Sequence, residues 1–215
     1  MPITLYESDG GEKKAEKPET SIVEGVVVDS CDLTRQGKVL VRIPSLEQEV
    51  WARLAAPGGG SGAGLYYNPR VDDEVLVALN GKNPTNSYIL GGMWNTQDTP
   101  PVSNPVELTT KRVIKTGLKG TPGHQIEFDD GPAQSITIQT TTQQKIVMDP
   151  FKIELSNKTG TLTITMDNKA QKITIKAVDI ELSAVKGITL KAPTIDVGDS
   201  TTGHTTIKGL KVDIN

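Results

Sequence analysis

The residues of this sequence that could do chemistry are few and scattered. The two histidines, His124 and His204, stand far apart in the chain, and neither belongs to a catalytic or metal-binding motif. Glu127, Asp129 and Asp130 are close together, but Asp130 opens a Gly-Pro turn, and alternating carboxylates on a strand usually form its solvated face. We therefore expect no enzyme activity, no catalytic residue and no cofactor.

Two other features carry possible chemistry and have simpler explanations. Cys31 is the single cysteine, so no disulfide can form within the chain, and a structural thiol is the better interpretation. The glycine-rich run Gly58–Gly64 lacks the Gly-Lys-Ser/Thr ending of a phosphate-binding loop, and no helical pattern follows it. We expect this run to be a loop that connects two strands.

Composition narrows the class of protein further. The chain has 215 residues and a formal net charge of −3, so a general affinity for nucleic acid or for an anionic membrane is not indicated. Aromatic residues make up only 4% of the sequence, which is low for a conventional globular core. Residues 1–20 contain neither a signal peptide nor a membrane anchor, and we expect assembly in the cytoplasm.

The first segment, residues 1–20, is polar and is predicted to be a flexible arm. Its initial residues Ile3, Leu5 and Tyr6 alternate with others and could add a strand to a partner.

Residues 21–95 predict a small β-barrel of the OB type. Five alternating or β-branched runs are separated by turn residues, and no helical period occurs among them. The predicted strands cover residues 22–29, 38–43, 49–54, 74–79 and 87–92. Residues 96–124 contain repeated Pro and Gly and are predicted to be a linker, within which Leu108–Leu118 could be an extended crossing segment.

Residues 125–215 contain short apolar groups spaced i, i+2 that recur at nearly regular intervals. This period of two places the apolar side chains of each short strand on one face, and the regular recurrence is typical of a repeat architecture. One such strip cannot bury itself, and copies of the same chain are its simplest partner. The predicted core residues are Ile136, Ile138, Ile153, Leu155, Leu162, Ile164, Ile173, Ile175, Ile180, Leu182, Ile188, Leu190, Ile195 and Val197.

The barrel residues resemble the central spike proteins of contractile tails. These are the phage baseplate assembly protein V family and the valine–glycine-repeat spikes of type VI secretion. The similarity lies in the order and spacing of short motifs: Gly25-Val26-Val27, Asp32, Gly37–Val41, Pro44, Trp51-Ala52-Arg53, Pro57, Gly62, Gly64, Pro69, Asp73–Val77, Gly81, Pro84, Gly91-Gly92 and Asn95.

This resemblance implies an all-β homotrimer whose N-terminal OB-fold barrels surround a threefold axis. The C-terminal segments, residues 125–215, would intertwine into a triple-stranded β-helix that forms a membrane-puncturing needle. Its implied partners are further copies of the chain, a separate hub protein facing Ile3, Leu5 and Tyr6, and the target envelope. A conical cap protein would sit at Val212, Ile214 and Asn215. The particle would be a phage tail or an extracellular contractile injection machine.

The sequence departs from some relatives at several points. The interval 96–124 is too short for the lysozyme domain that some of them carry, and residues 1–20 are too short for a hub domain. The His-X-His pair found near the tip of some short spikes is absent. No metal site is therefore predicted: three copies of His204 on a threefold axis could form one, but a single histidine in a Thr/Gly-rich turn is more often simply exposed. Asp72 stands where many relatives have Gly, and a turn there remains acceptable.

Two alternatives belong to other functional classes. One is an OB-fold module that binds carbohydrate or single-stranded nucleic acid on a β-helical stalk, for which Trp51, Tyr66, Tyr67, Tyr88 and Trp94 offer rings. The other is a β-helical tail fibre or polysaccharide-cleaving protein. That second class requires carboxylate pairs and aromatic residues along the stalk, and no aromatic residue follows Phe151.

Overall fold

The computed structural model describes residues 20–81, 86–118, 120–198 and 205–208. Within these ranges the regular structure is β, apart from one 3₁₀ turn at Pro44–Leu46. This confirms the predicted all-β class. The described residues contain no helix long and apolar enough to cross a bilayer.

Five strands close into a barrel in the order β1-β2-β3-β7-β6. Neighbouring strands are antiparallel except β3 and β7, where Arg53 pairs with Tyr88 in parallel. The barrel strands are β1 Thr20–Asp29, β2 Lys38–Ile43, β3 Gln48–Leu54, β6 Glu74–Asn80 and β7 Tyr88–Gly92. They agree with the five predicted strands to within one or two residues at each end.

The barrel encloses the only buried apolar core of the described residues. Alternation within β2 buries Val39, Val41 and Ile43 completely, and β6 contributes Val75 and Val77 in the same way. Burying each such side chain contributes on the order of 1.5–3 kcal/mol to folding. The barrel is therefore stable through its own contacts.

The glycine-rich run forms a small β-hairpin outside the barrel. Its two strands, β4 Gly59–Gly60 and β5 Ala63–Gly64, pair only with each other. Gly62 lies between them with φ +70°, a left-handed conformation that glycine adopts without strain. The run is thus a connection between β3 and β6, as the sequence predicts.

The second part of the structure is a seven-stranded sheet in which every strand pairs with its neighbours in sequence. All six pairings are antiparallel. The strands are β8 Lys111–Lys115, β9 Gln125–Asp129, β10 Ser135–Gln139, β11 Lys145–Met148, β12 Lys152–Ser156, β13 Thr163–Asp167 and β14 Lys172–Lys176.

Short polar turns hold the register of this sheet. The Asp149 carboxylate accepts hydrogen bonds from the backbone amides of Phe151 and Lys152, at 2.8 and 2.9 Å. The Asn157 side chain does the same for Thr161 and Leu162. These side chains imitate backbone turn bonds, so each strand begins at a fixed offset from the one before.

The sheet differs from the sequence expectation in two respects. It begins at β8, inside the range 96–124 that was predicted to be a linker. Its strands also pair within one chain, whereas the resemblance implied pairing between three intertwined chains. Turns this short allow each strand to return beside its predecessor within one chain.

Beyond β14 the pattern of pairing ends. Residues 177–198 contain no strand and no helix. Ala177 is partly buried and the residues from 178 to 198 are exposed, so this stretch has no core of its own.

Candidate functional site

One face of the seven-stranded sheet carries two columns of apolar side chains. The strand register aligns them, so that within each column every residue lies opposite the next one, while Phe128 at the end of the second column also lies opposite Arg112 on β8. The first column is Ile114, Ile126, Ile138, Ile146, Leu155, Ile164 and Ile175. The second is Phe128, Ile136, Met148, Ile153, Met166 and Ile173. We call these two columns the apolar face.

The apolar face is uncovered in the single chain. Ile138 is 39% exposed, Ile164 41% and Ile175 51%, although directly opposed neighbours cover their flanks. Directly opposed residues on neighbouring antiparallel strands have Cβ atoms about 4.5–5.5 Å apart. The two columns therefore form one continuous surface. Exposed apolar surfaces of this extent mark an interaction site in a soluble protein.

The opposite face of the sheet is polar and internally paired. Lys111 bridges Glu127 at 3.2 Å and Glu107 at 3.3 Å, and Lys152 contacts Glu154 at 2.8 Å. The hydrogen bonds that the Lys111 ammonium donates to Glu127 and, with a smaller effect, to Glu107 raise the pKa of Lys111. This face has satisfied charges and suits water, so the two faces differ sharply in chemical character.

The predicted core residues fall into three groups. Ile136, Ile138, Ile153, Leu155, Ile164, Ile173 and Ile175 all lie on the apolar face. Leu162 precedes β13 in the turn and is 53% exposed. The remaining described residues follow β14 without a partner strand and are exposed: Ile180, Leu182, Ile188, Leu190, Ile195 and Val197.

The list of predicted core residues left out several members of the apolar face, although the i, i+2 pattern of the sequence already grouped them with the residues on the list. Ile126, Phe128, Ile146, Met148 and Met166 show the same i, i+2 spacing as the residues that were chosen. Ile114 was missed because its strand was placed in the linker. The alternation of Lys111–Lys115 is the signal that could have found it.

Several predicted contact residues lie outside the described residues. They are Ile3, Leu5 and Tyr6, assigned to the hub, His204, the candidate metal ligand, and Val212, Ile214 and Asn215, assigned to a cap.

The titratable residues considered for chemistry have structural partners. The His124 Nδ1 accepts a hydrogen bond from the Thr141 amide at 3.3 Å, and its carbonyl oxygen accepts from Thr116 at 2.9 Å. Asp129 accepts from the Gly131 amide at 2.9 Å and thereby closes a turn. In the part of the chain that the structure describes, no group of three or more His, Cys, Asp or Glu residues is arranged to hold a metal.

Two aromatic residues of the barrel region, Tyr88 and Tyr67, contact neighbouring protein groups. The Arg53 guanidinium lies 5.0 Å from the centre of the Tyr88 ring and donates to its hydroxyl at 3.0 Å. The hydroxyl of Tyr67 donates to the Lys115 carbonyl. Residues 20–95 contain eight acidic and six basic side chains, which disfavours binding of a phosphate backbone.

Comparison with known proteins agrees with this geometry for the barrel. No curated protein matches the chain. Residues 23–94, which span the closed barrel, match the family model described as the type VI secretion system/phage-baseplate injector OB domain. A five-stranded closed barrel at that position is the fold such a domain requires. Residues 23–94 of this chain are therefore similar to the OB domain of phage-baseplate and type VI secretion injectors.

Proposed function

We propose that this chain is the central spike of a contractile injection machine and pierces the target envelope mechanically. Three copies would assemble around a threefold axis, with the barrels attached to the baseplate hub and the C-terminal half forming the needle. The protein would do no covalent chemistry. The matched injector domain supports a place in the baseplate, and the apolar face supports the needle.

The single observation that carries the proposal is the uncovered apolar face. The backbone groups of the inner strands are already paired within the chain, so the side chains of this face are what still lacks a partner. Three identical strips, each two columns wide, would meet around an axis and cover one another. Each buried Ile or Leu then contributes about 1.5–3 kcal/mol, and three chains repeat this contribution at every strand.

The mechanical role follows from the direction of the hydrogen bonds. Neighbouring strands are spaced about 4.8 Å apart, so seven strands would build a shaft of roughly 29 Å. If the strands stack along the needle, their ladder hydrogen bonds run parallel to the thrust. A compressive force would then act along continuous rows of hydrogen bonds between strands and would not bend individual strands.

Residues 177–197 would complete the needle by a different kind of pairing. Their apolar groups keep the i, i+2 spacing, but within the described residues they have no intrachain strand partner. Pairing with the same segment of two other copies would satisfy both backbone and side chains. The intertwined β-helix is therefore proposed for this stretch, with the prism-like sheets of 111–176 preceding it.

The proposed partners are assigned to residues near the two ends of this sequence. β1 begins at Thr20 and ends at Asp29, about 30 Å away by the usual rise of a strand. The Asp29 end lies beside the loop that contacts the sheet, and Thr20 lies at the opposite end of the strand. This supports a hub facing Ile3, Leu5 and Tyr6, while Val212, Ile214 and Asn215 would meet a cap or the envelope.

The test combines localisation with genetic removal. Contractile particles purified from a producing strain would be labelled with antibody against this chain and viewed by electron microscopy. We expect label at the distal end of the tail, and loss of target-cell killing when the chain is deleted. Label elsewhere, or killing that survives deletion, would reject the spike function. Sedimentation of the purified full chain as a monomer would reject the trimer.

A further inference from the structure

Two hydrogen bonds from one short segment connect the barrel to the sheet. This junction loop, residues 67–73, connects the β4–β5 hairpin to β6. The Tyr67 hydroxyl donates to the carbonyl oxygen of Lys115, the last residue of β8. Arg70 Nη1 donates to the carbonyl of Gly117 at 3.4 Å. Both acceptors are backbone atoms at the point where β8 turns towards β9.

The junction loop is firmly attached to the barrel. Asn68 donates to the carbonyl of Ser30 at 3.0 Å, and the Ser30 hydroxyl donates to the carbonyl of Pro69 at 2.6 Å. The Asp72 amide donates to the Val27 carbonyl at 2.9 Å, which extends the β1 pairing into the loop. The loop therefore moves with the barrel as one body.

Arg70 is held in place by a residue of the same loop. Its guanidinium contacts the Asp73 carboxylate at 3.1 Å, and its backbone amide donates to that carboxylate at 2.8 Å. The pairing fixes the direction of the arginine side chain, so its remaining donors point at the sheet with little loss of freedom on contact. The ion pair is partly exposed and acts through orientation.

The receiving side of the contact is equally compact. The Thr116 amide donates to the His124 carbonyl at 2.9 Å. A Cβ on Gly123 would lie 1.4 Å from the Thr116 carbonyl oxygen, so the two limbs of the β8–β9 connection pass in direct contact. The Lys115 and Gly117 carbonyls therefore belong to a closely packed connection between β8 and β9.

We propose that Tyr67 and Arg70 are positioning residues that lock the angle between the injector barrel and the sheet. Residues 93–110 link the two units along the chain, and relative motion is the default for units that share a small interface. The lock goes beyond the proposed spike function because it operates within one chain. In a spike, a force applied to the barrel would therefore be transmitted to the sheet without bending between the two units.

The lock can be measured as the width of a distance distribution in the full chain. Spin labels would be placed on cysteines replacing Glu49 and Lys158, two exposed positions on the barrel and the sheet, with Cys31→Ser to remove the native thiol. Labelled chain would be assembled with a large excess of unlabelled chain, so that each pair of labels lies in one molecule. Pulsed electron paramagnetic resonance then reports the barrel-to-sheet distance.

Tyr67→Phe removes one hydroxyl and leaves the ring. We expect it to raise the detached population about fivefold, the effect of one neutral hydrogen bond. Tyr67→Phe with Arg70→Gln should broaden the distribution further. Tyr66→Phe is the matched control, since this neighbouring tyrosine is 76% exposed, and its distribution should stay narrow.

Two results would overturn the lock. One is an unchanged width in both the single and the double variant. The other is equal broadening in the Tyr66→Phe control. A narrow parental distribution in a protein that proves monomeric would reject the spike while leaving the lock in place, so the two proposals fail separately.

Discussion

Leu155 on β12 lies directly opposite Ile164 on β13, and the two side chains are exposed to nearly the same extent, 42% and 41%. The pair is already formed within one chain, yet neither residue is buried. Within the described part of the single chain, no second layer of protein packs over the pair. This relationship repeats along the sheet and leads to the first two predictions.

Replacing Ile175 with Asp should abolish the trimer. Three carboxylates would be forced onto the axis, where an unpaired buried charge costs several kcal/mol per chain. Thr174→Asp is the matched control, because Thr174 is adjacent and lies on the polar face. Sedimentation velocity should give a monomer for the first variant and a trimer for the second. A trimer in both would show that the apolar face does not point inward.

Residues 178–197 should exchange their amide hydrogens slowly in the assembled protein. The single chain gives them no strand partner, so protection can come only from other copies. Hydrogen–deuterium exchange with mass spectrometry would measure it, and Ile175→Asp should remove the protection. Fast exchange in a protein that sediments as a trimer would exclude intertwining of this stretch.

Gly25 in β1 should not tolerate a side chain. A Cβ there would lie 2.4 Å from Val41 Cγ1 and 3.3 Å from Val77 Cγ2. Gly25→Ala should therefore destabilise the barrel by about 1–3 kcal/mol, as overpacking does. Gly59→Ala is the control, since its Cβ would meet nothing within 4 Å. Urea unfolding followed by tryptophan fluorescence compares them, and equal midpoints would contradict the close packing at Gly25.

Acid should weaken the loop between β1 and β2 through Asp32. Its carboxylate accepts hydrogen bonds from the Thr34 hydroxyl and from the amides of Lys38, Gln36 and Thr34, and these lower its pKa well below the usual 3.8. A lowered pKa in the folded state means that the stabilisation is complete above about pH 3.8. It is lost as the pH falls further towards the folded-state pKa.

The measurement for Asp32 is the melting temperature of the chain and of Asp32→Asn between neutral pH and pH 2. The parent should melt higher at neutral pH, and the difference should shrink below the usual carboxyl pKa. Comparing the two proteins cancels the titration of the other carboxylates. A difference that stays constant with pH would show that the carboxylate charge contributes nothing to the folded loop.

Sequence alone predicted the barrel well because its signals are local. Val39, Val41 and Ile43 alternate with other residues, and Pro44 ends this strand. Asn80-Gly81 forms the turn that ends β6, so the ends of the strands can be predicted from neighbouring residues. The pairing of the second half could not be read in this way. A period of two shows which residues share a face, but it does not show whether the neighbouring strand belongs to the same chain.

The junction loop illustrates a different limit. Tyr67 was noted as one of several rings and Arg70 was not noted at all, because their partners are backbone carbonyls of a segment nearly fifty residues away. Backbone acceptors leave no trace in composition or periodicity. Such contacts become visible only when the register of the sheet and the closure of the barrel are both known.

The sequence-adjacent pairing of the seven strands also governs the order of folding. Every contact between neighbouring strands spans a short loop, so each sheet can form on its own chain, quickly and independently of protein concentration. Assembly of the proposed trimer would then be a separate, slower and concentration-dependent event. In the interval the apolar face is open to any other chain, and the lysines on the two edge strands, β8 and β14, hinder edge-to-edge association. Yield should accordingly depend on how fast matching chains are made near one another.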